Sequence, residues 1–186
     1  MQIFNLENSN SIFLNLSKAE GKQTIRVVDG EYVQGWRYYD AVRDADGKFV
    51  LDSNGQNKMK MFHVLNSKDI PSVLPPDRYG VQRAKFFLAF KVLHDDRICI
   101  LVITQRQILD ALHTHWETNQ LPPTEYDMII ERDKQDQTKY KIAFRNPSPV
   151  VLTPEQQREI GDIDLYERLG IKRDAGNDLD IFLENP

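Results

Sequence analysis

A single cysteine, Cys99, in 186 residues excludes an internal disulfide and any cysteine-rich zinc site. It stands in the apolar run Ile98-Cys99-Ile100-Leu101-Val102-Ile103, where a buried, inert thiol is expected. That run is far too short to cross a membrane, and the N-terminus lacks the basic-then-apolar pattern of a leader. The expectation is a soluble cytoplasmic protein with no membrane partner. Nine Gly and nine Pro are too few for a collagen-like or low-complexity chain, while two Trp, seven Tyr and nine Phe are ample for a core. Also missing are a Walker loop, a dinucleotide glycine fingerprint and a nucleophile elbow. No internal repeat is visible.

Positive charge is in deficit as well: 24 Lys and Arg face 28 Asp and Glu, a net of -4, which argues against nucleic acid as a partner. The distribution reverses that argument. Residues 1–145 hold 20 basic and 19 acidic side chains (+1), whereas residues 146–186 hold 4 and 9 (-5). Asp174, Asp178, Asp180 and Glu184 fall in the last thirteen residues, without one Lys or Arg. A balanced body therefore carries an acidic tail.

Along the body the dominant signal is period-two alternation in short segments punctuated by Gly, Asn, Asp and Pro. Strands are expected at 11–16, 23–28, 34–42, 48–51, 58–65, 84–93, 98–103, 126–132 and 138–145. Asp46-Gly47 and Asn54-Gly55 are hairpin turn signals. Thr104-Gln105-Arg106-Gln107 reads as a capping box opening a helix, with Ile108, Leu109, Leu112 and Trp116 on one face, that ends near Asn119. Thr153-Pro154 opens a second helix that runs to about Leu169, with Gly161 as a possible break. Many strands with one helix before the last hairpin suit a mainly β fold. A five-stranded barrel of the oligonucleotide/oligosaccharide-binding (OB) type, with extra strands and a C-terminal helix, is expected, and a β-sandwich is its competitor. The expected units are 1–152 (the OB-type domain), 153–173 (the helix) and 174–186 (the acidic tail).

The strand faces carry the functional reading. In the last strand Thr138, Tyr140, Ile142 and Phe144 alternate with Lys139, Lys141, Ala143 and Arg145, one face apolar and the other cationic. From Ala84 to Val92, the residues Ala84, Phe86, Leu88, Phe90 and Val92 suit a core, which leaves Lys85, Phe87, Ala89 and Lys91 facing solvent. Lys58, Lys60 and Phe62 repeat the mixture, and Arg26 precedes the cluster Trp36-Arg37-Tyr38-Tyr39. Cations in line with exposed rings are what a single nucleic-acid strand requires, since phosphates follow the charges and each stacked base contributes about 1–3 kcal/mol. The plain alternative is that these lysines are the solvated side of half-buried strands. The candidate nucleic-acid contacts are Lys85, Phe87, Lys91, Lys139, Lys141 and Arg145, followed by Trp36, Arg37, Tyr39, Arg26, Lys60 and Phe62.

From Gln82 to Leu152 the order of pieces resembles the single-stranded-DNA-binding proteins of tailed bacteriophages. Those pieces are Phe86-Phe87-Leu88-Ala89-Phe90-Lys91-Val92, the strand from Ile98, the Thr104 helix, Tyr126-Asp127 before an apolar strand ending in Arg132, Thr138-Lys139-Tyr140-Lys141-Ile142, and the exit Asn146-Pro147-Ser148-Pro149. The resemblance implies an OB-type core that coats single-stranded DNA with little sequence preference during phage replication or recombination, in the host cytoplasm. It also implies that Asp178, Asp180, Ile181 and Phe182 dock replication or recombination proteins. Some relatives hold zinc between early strands; here the stretch 40–80 has His63 and no cysteine, so no zinc or other cofactor is expected.

Enzymatic readings fare worse. His115-Trp116-Glu117 matches half of a zinc-deaminase signature, but the cysteine pair that would complete it is missing. His113 and His115 point apart on a helix, and Asp127, Glu131 and Asp133 lack a nuclease lysine motif. A non-enzymatic DNA-binding protein is the expectation, with a β-barrel interaction module lacking nucleic-acid affinity as the alternative.

Overall fold

The computed structural model describes residues 12–76, 80–136, 138–146 and 150–172. Seven strands form one mixed sheet: β1 (Phe13–Leu14), β2 (Lys22–Ala41), β3 (Met59–Val64), β4 (Lys85–His94), β5 (Arg97–Ile103), β6 (Asp127–Arg132) and β7 (Tyr140–Arg145). Three helices complete it: α1 (Arg106–Asn119), α2 (Pro154–Asp162) and α3 (Leu165–Leu169). The strands lie in the order β1-β5-β4-β2-β6-β7, and β3 pairs with the last part of β2 on the edge opposite β4. All pairs are antiparallel except β1 with β5. The sheet does not close, because β5 and β7 are not paired, so the expected barrel is not reached. The mainly β architecture with an inserted helix is as expected.

Strand β2 organises the sheet. The two strands expected at 23–28 and 34–42 are one strand of 20 residues. Its first part pairs with β6 from Lys22 to Arg26, and its last part pairs with β3 from Trp36 to Ala41. Between them it pairs with β4, with a register shift between Val27 and Tyr32. Asp29 and Gly30 lie in that shift, a bulge that turns the strand without ending it. The expected strand at 48–51 is reduced to isolated bridges, Arg43 with Phe49 and Leu51 with Asn57. These bridges shape a small meander whose turns are pinned by the Asp44 and Asp52 carboxylates.

Alternation along the strands sorts side chains onto two faces, and both are covered. One face holds Ile25, Leu88, Phe90, Val92, Leu101, Ile103, Met128 and Ile130, closed by Ile108 and Leu112 of α1. The opposite face holds Val33, Phe87, Ala89, Ile98 and Ile100, closed by Ile163, Leu165, Leu169 and Ile171 of the C-terminal segment. Cys99 is buried, and burial pushes its thiol pKa up.

The caps differ in outcome. Thr153 caps α2 as expected from Thr153-Pro154, and Gln156 adds a reciprocal hydrogen bond that makes the cap a box. The expected long helix breaks at Ile163, two residues beyond Gly161, and restarts with the Asp164 carboxylate accepting from the Tyr166 and Glu167 amides. The box expected at Thr104 does not form. Instead the Thr104 hydroxyl accepts from Arg37 Nη2 at 3.2 Å, and Gln107 Oε1 accepts from the Tyr140 amide at 3.0 Å. Both side chains are used to tie α1 to neighbouring strands.

Candidate nucleic-acid interface

The strongest aromatic grouping lies where β2, β3 and β4 run side by side. Trp36 is opposite Phe86 on β4, and Tyr38 is opposite Phe62 on β3, so all four share one face. Trp36 and Phe86 meet edge to face at 5.8 Å, while Tyr38 and Phe62 are stacked at 5.6 Å and 17°. Phe86 is 37 % exposed, and Trp36 and Phe62 are half-buried. Lys60 continues the row, with its ammonium 5.4 Å from the Phe62 ring centre. Rings two residues apart on one strand are about 7 Å apart, a spacing that an extended nucleotide chain can follow.

On the opposite face of the same strands, Arg37 is paired in register with His63 and Lys85. Lys85 is exposed, whereas burial lowers the Arg37 pKa. Tyr39 is exposed, and its backbone is held by Gln82, whose amide group accepts from the Tyr39 N–H at 2.8 Å and donates to the Tyr39 carbonyl at 2.7 Å. The structure thus brings Trp36, Lys60 and Phe62 together on one face, with Arg37, Tyr39 and Lys85 on the other.

Two expected contacts are overturned. Phe87 is 0 % exposed: it is sealed between the sheet and α3, and His63 meets it edge-on at 4.9 Å. Lys91 is also buried and is ion-paired with Asp29 at 3.1 Å and Glu31 at 2.5 Å, carboxylates presented by the β2 bulge. The face assigned to solvent is covered by Ile163, Leu165 and Leu169, which come from far along the chain. Phe86, assigned to the core, lies beyond the end of that core and is the ring that sequence reasoning missed. Phe86 faces the same side as Trp36, a relation set by the register of β2 with β4 and not readable from either strand alone.

The remaining cations are less free than a bare strand face implies. Arg26 is mostly buried and donates through Nε to Asp127 Oδ1 at 2.7 Å, and Arg145 donates to the other oxygen of Asp127 at 3.0 Å. Lys139 pairs with Asp136 at 3.0 Å and Lys141 with Asp133 at 3.7 Å. The Asp136 carboxyl is held at about 2, chiefly by hydrogen bonds from the Thr138 hydroxyl and the Lys139 ammonium. Lys139, Lys141 and Arg145 remain well exposed, each with a carboxylate beside it.

The two histidines of α1 differ in their surroundings, His115 packed against rings and His113 exposed. His115 stacks on Phe144 at 4.1 Å and meets Tyr126 at 4.5 Å, and His113 lies 3.5 Å from Glu117. Tyr126 is buried, which pushes its hydroxyl pKa up to about 12. Asp178, Asp180, Ile181 and Phe182, like Pro147 to Pro149, lie outside the described residues. Among the described residues no helix is long and apolar enough to cross a membrane. In comparisons with protein-family models, curated proteins and solved structures, nothing matches this chain.

Proposed function

We propose that this protein is a non-enzymatic binder of single-stranded DNA with little sequence preference. The observation that carries the reading is the half-exposed aromatic row Phe86, Trp36 and Phe62, continued by Lys60. Rings on a rigid sheet offer stacking platforms to any base, and a lysine at the end of the row attracts the backbone. An open mixed sheet with strand order β5-β4-β2-β6-β7 and a helix between β5 and β6 is compatible with the OB-type core that the sequence resembles, which favours the same reading. The resemblance to tailed-phage single-stranded-DNA-binding proteins adds the setting: replication or recombination in the host cytoplasm, with the acidic tail docking partner proteins.

Because Lys139, Lys141 and Arg145 each sit beside a carboxylate, stacking supplies more of the affinity than phosphate neutralisation, and the salt dependence is shallow. Fluorescence-anisotropy titration with oligo-dT and with duplex of equal length, at two salt concentrations, tests this. Binding to oligo-dT that is weakened by Trp36→Ala supports the reading. Absence of binding at low salt defeats it, and equal affinity for duplex defeats the preference for single strands.

A protein-interaction module without nucleic-acid affinity is the second reading. It is favoured by the exposed apolar side chains Phe49, Leu51 and Met59 around the meander.

A further inference from the structure

Arg37 and Lys85 are cross-strand neighbours on the face of the sheet opposite Trp36 and Phe86. Like charges set directly opposite on adjacent strands repel, and the half-buried guanidinium has also lost hydration. Among the described residues neither cation is paired with a carboxylate. The sheet treats its other covered cations differently: Arg26 is paired with Asp127, and Lys91 with Asp29 and Glu31. The Arg37–Lys85 pair thus carries a cost that nothing in the described chain offsets, a pattern that marks functional positions.

The hydrogen-bond partner that Arg37 does have defines the rest of the locus. Its Nη2 donates to the Thr104 hydroxyl at 3.2 Å. Thr104 follows β5, and β4 lies between β5 and β2, so the Arg37 side chain crosses β4 beside Lys85. That contact uses one donor of a five-donor fork. Among the described residues, the remaining guanidinium N–H groups, the Lys85 ammonium and the Thr104 hydroxyl proton have no acceptor. Helix α1 opens just beyond Thr104 with no acidic residue in its first turn, so no negative charge enters from that side. His63 is the neighbour of Arg37 on β3, and the Arg37 charge helps to hold it neutral.

We propose that Arg37, Lys85 and Thr104 form a phosphate-binding site on this face. A guanidinium fork, an ammonium and a hydroxyl are donors of three shapes, and they suit an anion with oxygens in three directions better than a planar carboxylate. A phosphate also supplies the negative charge that the cross-strand pair lacks. The group belongs either to the backbone of a bound strand or to a free phosphate ester, since both present the same oxygens. The site lies on the face opposite the aromatic row and does not rest on DNA binding.

The test uses inorganic phosphate as its probe, titrated into the full chain at neutral pH and constant ionic strength. NMR follows the Arg37 Nε–H and the Lys85 and Thr104 amides. Saturable shifts there, with the Lys139 and Lys141 amides little changed, support the site. Lys85→Ala, at an exposed position, is expected to weaken phosphate binding about tenfold, and Arg37→Lys, which keeps the charge and loses the fork, by a similar factor. The spectrum of each variant away from the site reports that it is folded. Unchanged affinity in both folded variants overturns the proposal, as do shifts that never saturate or that acetate reproduces at equal concentration. Oligo-dT added to the phosphate-bound chain then separates the sources. Displacement of phosphate identifies the backbone of a bound strand, and phosphate retained beside DNA identifies a free phosphate ester. If oligo-dT does not bind while phosphate saturates, the reading as a DNA binder falls and the site stands.

Discussion

Phe86 leans edge-on against Trp36 at one face of β4, and Phe87, one residue later, is sealed beneath Leu165 and Leu169 at the other. Adjacent phenylalanines thus face opposite sides of the sheet, one partly exposed and one fully buried. Phe87→Ala is expected to cost about 3–5 kcal/mol, since it opens a cavity between sheet and helix. Phe86→Ala is expected to cost about 1 kcal/mol or less, and to weaken oligo-dT binding by about 1–3 kcal/mol. Urea denaturation beside the anisotropy titration separates the two; a large stability loss at Phe86 would contradict its placement.

His63 gives the fold a pH dependence. Its Nδ1–H donates to the Leu169 carbonyl at 3.2 Å, and Nε2 is buried without a partner. Burial, assisted by the nearby Arg37 charge, lowers its pKa to about 4. In the unfolded chain the group titrates near 6.5, so the unfolded state binds the extra proton first. The stability it confers is complete above about pH 6.5 and is lost as the pH falls towards 4, by roughly 2–3 kcal/mol. Thermal melts of the parent and His63→Gln between pH 7 and 5 are expected to show a steeper decline for the parent. Parallel curves would refute this assignment.

Asp127 serves two guanidinium groups, and one of them, on Arg26, is mostly buried. Removing the carboxylate strands charge in a low-dielectric site, so Asp127→Ala is expected to destabilise by about 3–5 kcal/mol. Arg145→Ala, which removes the exposed partner, is expected to cost about 1 kcal/mol or less. Chemical denaturation of both variants checks the order, and a reversed order would refute it.

Gly35 lies where β2 passes β3, and a Cβ there would overlap the Val64 carbonyl oxygen. Gly35→Ala is expected to cost about 1–3 kcal/mol, because backbone must shift to admit it. Gly30, in the β2 bulge with open space around it, is expected to accept Ala within about 0.5 kcal/mol. A pair of thermal melts decides between them.

Much of this architecture was legible from alternation and turn chemistry. The runs at 84–93, 98–103, 126–132 and 138–145 became β4 to β7, and Thr153-Pro154 became a capped helix start. Reading each strand alone failed where a distant segment decided the outcome. The row Lys85, Phe87, Ala89 and Lys91 has a solvent-like pattern at its charged ends, yet Ile163, Leu165 and Leu169 cover its middle. Lys91 tolerates that burial because Asp29 and Glu31 reach it from a bulge, a feature that period two does not encode. Trp36 and Phe62 were recognisable as a local aromatic and lysine mixture, and the fold places them on one face of the sheet. Their partner Phe86 needed the registers of β2 with β3 and β4.

The 20-residue strand β2 also bears on how the chain reaches this state. One edge of its first part stays unpaired until β6 arrives, although β4 pairs with Arg26 and Val27 on the other, and the Arg26–Asp127 pair spans 101 positions of sequence. Closing a loop of that length precedes any stabilisation from it, so folding is expected to be slow and governed by contact order. During synthesis, the first hundred residues leave an unpaired strand edge exposed, and that edge is the point at which a nascent chain would be captured by a chaperone or by another copy of itself.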